Sequence, residues 1–116
     1  MKKILMAGVM LLALTALLAR AQMPFGSVAE QEYGRALWNA LQSANLVGEN
    51  HIMAWPYEGN APHGDKLVTL ESEITLNGQR GTVLVKHNYG PDVTLEQVSN
   101  DPGAYLVATT VMFKRE

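Results

Sequence analysis

Leu67-Val68-Thr69-Leu70-Glu71-Ser72-Glu73-Ile74-Thr75-Leu76-Asn77-Gly78-Gln79-Arg80-Gly81-Thr82-Val83-Leu84-Val85-Lys86-His87-Asn88-Tyr89 is two apolar runs joined by Asn-Gly. Both central residues of a type I′ turn need positive φ, which Asn and Gly tolerate, so the pair predicts a β-hairpin. The first run reads as one long strand or a bulged pair. In the return run, residues 82–89, alternation sets Val83, Val85, His87 and Tyr89 on one face and Leu84, Lys86 and Asn88 on the other. Glu71 and Glu73 share a face two residues apart, which reads as a solvated surface and not as an acid and base pair.

Outward from the hairpin, Gly90-Pro91-Asp92 breaks the return strand and residues 99–103 read as a polar loop. Residues 105–114 carry apolar side chains on both faces, which predicts a covered central strand. On the other side, residues 57–65 have the Gly, Asn and Pro content of a loop, and residues 51–55 predict a short strand ended by Pro56. Ser27-Val28-Ala29-Glu30 fits a capping box, in which side chains satisfy free N–H groups at a helix start. A helix is predicted over residues 28–46, with Tyr33, Leu37, Leu41 and Ala44 on one face. Gly34 inside it costs about 1 kcal/mol relative to Ala, and Gly48 offers a natural stop. The expected fold is α+β: an N-terminal amphipathic helix packed on an antiparallel β-meander.

The first residues follow the order of a secretory signal. Lys2 and Lys3 supply charge, residues 4–19 are apolar, and Ala19-Arg20-Ala21 offers a small-x-small cleavage site. Residues 1–21 are thus expected to be a signal peptide, and residues 22–116 a single exported domain, periplasmic or secreted. The apolar run falls short of the about 20 residues that span a bilayer, so no membrane association is expected after cleavage. Loss of Lys2, Lys3 and Arg20 would take the formal charge from −2 to −5. An acidic chain with no basic stripe argues against nucleic acid as a partner. The chain contains no cysteine, which excludes thiol catalysis, thiolate zinc sites and thioether-linked haem. A domain this small has a thin core, and homodimerisation would offset that.

Four motifs occur in order: Trp55-Pro56-Tyr57-Glu58-Gly59, Pro62-His63-Gly64, Val83-Leu84-Val85-Lys86-His87-Asn88-Tyr89 and Thr110-Val111-Met112-Phe113-Lys114. Together they resemble the cytochrome P460 family of exported haem proteins, with a weaker start at Leu37-Trp38-Asn39-Ala40-Leu41. The resemblance implies haem c held at a Cys-x-x-Cys-His site, with hydroxylamine or nitric oxide chemistry. This chain departs from it in three ways. His87 stands where members commonly have an acidic residue, the stretch from Glu96 to Ala104 is longer, and the Trp-rich segment and haem attachment site are absent. No cofactor is therefore expected in this chain.

The resulting expectation is an exported P460-like domain without covalent haem, a small-ligand or partner-binding module more than an enzyme. The alternative is a c-type haem protein of the P460 type, C-terminally truncated before its haem-binding segment. Candidate pocket residues are His87, His63, Lys86, Tyr89 and Trp55. For His87, a hydrogen-bonded core histidine competes with a pocket base or an axial ligand. His51, His63 and His87 lack the i, i+4 spacing of a metal site. Met112 reads as packing, and Gly-x-Ser-x-Gly, Walker and His-Glu-x-x-His patterns are missing.

Overall fold

The computed structural model describes residues 25–115. The expected signal peptide, residues 1–21, lies outside the described residues. Internal contacts place the described residues in two units, one ending at Arg35 and the other beginning at Ala36. In the first, the Ser27 N–H donates to the Glu30 carboxylate at 2.7 Å and the Glu30 N–H to the Ser27 hydroxyl at 3.2 Å. This capping box opens helix α1, Val28–Ser43, as its sequence predicts. The bond from the Ser27 backbone, followed by that from its side chain, holds the Glu30 carboxyl below the usual carboxylate range.

The second unit contains the end of α1, then β1 (Tyr57–Glu58), β2 (Lys66–Leu76), β3 (Gln79–Tyr89), the short helices α2 (Leu95–Asn100) and α3 (Pro102–Tyr105), and β4 (Leu106–Arg115). The four strands form one antiparallel sheet in the order β1-β2-β3-β4, a meander. The fold is α+β, with a helix packed on this sheet. Asn77 and Gly78 both hold positive φ, 50° and 79°, so the turn is the one Asn-Gly predicts. β2 pairs with β3 without a shift from Lys66↔Tyr89 to Leu76↔Gln79, so it is one regular strand and not a bulged pair.

Val68, Leu70 and Ile74 of β2 and Val83, Val85 and Tyr89 of β3 cover the sheet's inner face. Leu41 of α1, Leu46, Val47 and Val98 of α2 close over them, with Leu37, Ala40 and Ala44 at the margin. Burying one such aliphatic side chain contributes about 1.5 to 3 kcal/mol, so this cluster is the main force docking the helix. Glu71 and Glu73 lie exposed on the opposite face, where Arg80 donates to Glu73.

Helix α1 ends earlier than residue 46. Asn45 takes φ 55°, the Leu46 N–H bonds the Leu41 carbonyl at 2.9 Å, and the Asn45 N–H bonds Gln42 at 3.0 Å. This is a Schellman motif with Asn at the left-handed position, and it turns Leu46 back beside Leu41 in the core. Asn45, and not Gly48, stops the helix.

Three further expectations are corrected. Residues 51–55 form no strand; the first strand is Tyr57–Glu58, past the proline. Residues 99–103 are not a plain loop. Thr94 and Gln97 form a reciprocal capping box that starts α2, and the Asp101 side chain accepts from the Ala104 N–H to start α3. Most consequentially, β4 is an edge strand. It pairs only with β3 among the described residues, and Leu106, Val107 and Met112 are 41, 71 and 53 % exposed. Its apolar residues sit on both faces because one face meets the core margin while the other is open, not because both are covered.

Candidate functional site

A cleft of about 300 Å³ opens between the end of α1 and the start of β4. Trp38 of α1, Gly48, Glu49 and His51 of the following loop, His87 of β3, Pro102 and Gly103 of α3, and Leu106 and Thr109 of β4 line it. The fold brings these together through local devices. The Schellman turn directs the chain across the sheet, and the Ile52 N–H returns to the Asn45 carbonyl at 2.7 Å, closing the loop that presents His51. On β3 the alternation that buries Val83 and Val85 also turns His87 inward. Thr109 stands directly opposite His87 in the β3–β4 register.

His87 is the buried polar residue of the core, 1 % exposed. Its Nε2 lies 3.0 Å from the Leu46 carbonyl oxygen, which only accepts, so Nε2 carries the proton and donates. Its Nδ1 then accepts from the Thr109 hydroxyl at 3.2 Å. Burial pushes the His87 pKa down from its ordinary value; the Leu46 carbonyl opposes this and nearby His51 adds to it. The residue is a neutral imidazole with both nitrogens engaged.

His51 packs beside it, ring centroids 4.6 Å apart and planes inclined by 41°. Its Nδ1 lies 2.7 Å from the Gly48 carbonyl oxygen and therefore donates. That leaves Nε2 as a lone pair, and this atom is buried with no partner among the described residues. A buried acceptor without a donor is costly, of order 1 to 3 kcal/mol, which makes it a binding-site signal. The cleft thus combines an aromatic and apolar wall, Trp38, Pro102 and Leu106, with Glu49 and with His51, whose Nε2 is buried beside it without a partner among the described residues.

The other candidate residues do not line the cleft. Tyr89 shares the inner face with His87 but sits in the core, its hydroxyl buried without a partner and its pKa raised by burial. Lys86 points to the opposite side of the sheet from His87. His63 is exposed between β1 and β2, and Trp55 is 83 % exposed. Of the three histidines, His51 and His87 meet and His63 stands apart from the cleft. No group of three or more His, Asp or Glu that could hold a metal occurs among the described residues. His51, Trp38, Glu49 and Thr109 were not legible as pocket residues: they come from α1, the loop after it and β4, with no shared periodicity.

The motifs quoted above have structural work of their own. A Cβ at Gly59 would strike the Gly64 carbonyl and Leu67, and one at Gly64, where φ is 109°, would strike the Asn88 amide oxygen. The Gly59 N–H also bonds the Asp65 carbonyl at 2.8 Å. Three of the four motifs therefore converge on one close contact that covers Leu67 on the sheet's outer face.

Covalent haem does not fit this donor set. Thioether attachment needs cysteine sulfurs, and the chain has none. In the cleft His87 has no free lone pair, and about 300 Å³ is at the small end of pockets for drug-sized ligands. No protein-family model, curated protein or solved structure matches the chain.

Proposed function

We propose that this chain is an exported, P460-like domain that binds a small protic ligand in the His51/His87 cleft, with no covalent haem and no catalysis of its own. One observation carries the reading: the buried, unpartnered Nε2 of His51 at a cleft with an aromatic and apolar wall. With the half-buried His51 ring turned toward the cleft, a ligand hydroxyl or amine would donate to that lone pair and recover the desolvation it costs, while its apolar body lies on Trp38 and Leu106. The signal-like residues 1–21 support export, and the four ordered motifs support the P460 resemblance. The small size of the domain supports self-association.

The test uses a pair of probes matched in shape. Phenol carries a donor; anisole does not. Titration followed by the ring-proton shifts of His51 and His87 should saturate with phenol and not with anisole, and His51→Ala should abolish it. Equal response to both probes, or an unchanged response in the variant, would refute a donor-reading site. Adding haemin to the same protein and recording a histidine-ligated Soret band would instead support a haem protein.

A further inference from the structure

We infer that two copies of this chain pair along β4, edge to edge and antiparallel, to form a continuous sheet across a twofold axis. The inference stands apart from the ligand reading, since it uses the open edge and not the cleft.

β4 is ten residues long and leaves one row of backbone N–H and C=O groups without a strand partner among the described residues. Monomeric proteins blunt such edges with charge, proline, short length or bulges, because an open edge templates pairing. Here Tyr89 faces Leu106 while Asn88 faces Ala108, so Val107 is an extra, bulged residue at the start of the strand. From Ala108 to Phe113 the strand is regular, with no charge and no proline. On its outer face Met112 is 53 % exposed.

Charge specifies the orientation and the occupant. The 91–105 segment that leads into β4 carries Asp92, Glu96 and Asp101 with no Lys or Arg, whereas β4 ends in Lys114 and Arg115. Antiparallel pairing of two copies sets the basic end of each strand toward the acidic lead-in of the other, and parallel pairing would set like ends together. A twofold axis perpendicular to the sheet keeps both helices on one side and pairs residues of the same face. Centred on residues 108–114, all in regular register with β3, it falls at Val111. Val111 then faces Val111 of the second copy, Thr110 faces Met112, Thr109 faces Phe113, and Lys114 faces Ala108. No like charges are opposed, and Met112 gains a neighbour.

The absence of cysteine makes a direct test available. Opposed residues in an antiparallel pair lie within disulfide reach, so Val111→Cys should cross-link to a dimer under mild oxidation. Thr75→Cys, on the far strand β2, should stay monomeric. Sedimentation of the unmodified chain should show a dimer, and Thr110→Lys, an exposed change that places a charge opposite Met112, should weaken it by about tenfold or more with an unchanged circular dichroism spectrum. A monomer in sedimentation, a dimer indifferent to Thr110→Lys, or cross-linking through Thr75→Cys in place of Val111→Cys would each overturn the inference. The sedimentation and Thr110→Lys results decide the matter even if Val111→Cys fails to fold.

Discussion

The ring of His51 lies 4.6 Å from that of His87, and the two differ in what their nitrogens have found. His87 reaches Thr109 and Leu46; His51 reaches only Gly48. One ring is finished as structure, and the other keeps a lone pair in a buried place.

Stability should fall with acid through His87. Its folded pKa lies below the ordinary value of 6.5, so between the two the unfolded chain binds the extra proton and the native chain does not. The contribution is full above about pH 6.5, is lost as pH falls toward the folded pKa, and levels off beneath it, with a slope of at most about 1.4 kcal/mol per pH unit. Urea midpoints measured from neutral to acid pH should show this slope, and His87→Gln should flatten it. An equally steep slope in His87→Gln would assign the effect elsewhere.

Tyr89→Phe should stabilise the fold. The Tyr89 hydroxyl is buried with no partner among the described residues, so removing it relieves an unmet desolvation cost at nearly constant shape. A gain of about 1 kcal/mol in chemical unfolding is expected. A loss would show that the hydroxyl is satisfied in solution.

At the end of α1, Asn45→Gly and Asn45→Val should move stability in opposite directions. Asn45 sits at φ 55°. Gly occupies that region without strain and a β-branched residue does not, so thermal melts should separate the two variants by about 1 to 2 kcal/mol. Equal melting points would mean the left-handed cap is not held.

Gly64→Ala should be severe and Gly90→Ala mild. A methyl at Gly64 meets the Asn88 side chain and a φ of 109°, whereas at Gly90 the nearest atom beyond its chain neighbours is Val107 Cγ2 at 3.7 Å. A loss of about 3 kcal/mol is expected at the first and under about 1 kcal/mol at the second. Comparable soluble yields and melting points for the two variants would contradict the close contact among Gly59, Gly64 and Asn88.

What could be read in advance followed from local rules. Asn77-Gly78 and Ser27-Val28-Ala29-Glu30 each specify backbone geometry within a few residues, and both are seen. The alternation Val83, Val85, His87, Tyr89 specified which side of β3 is buried. β4 went wrong because a strand's own residues do not encode its place in the sheet, and apolar side chains on both faces suit a central strand and a sticky edge alike. Thr94 and Gln97 carried a capping-box signal, but six residues are too few for a helical period to confirm it. His87 was legible as an inward residue. Its meeting with His51 was not, since that depends on how Asn45 turns the chain back over the sheet.

The peptide of Leu46 serves two elements at once: its N–H closes α1 on Leu41, and its carbonyl holds the ring of His87 on β3. Fraying of the helix end and release of His87 are therefore a single event. In hydrogen exchange the last turn of α1 should protect and open together with the centre of β3, as one foldon, and anything that grips the His51 side of the cleft would slow both.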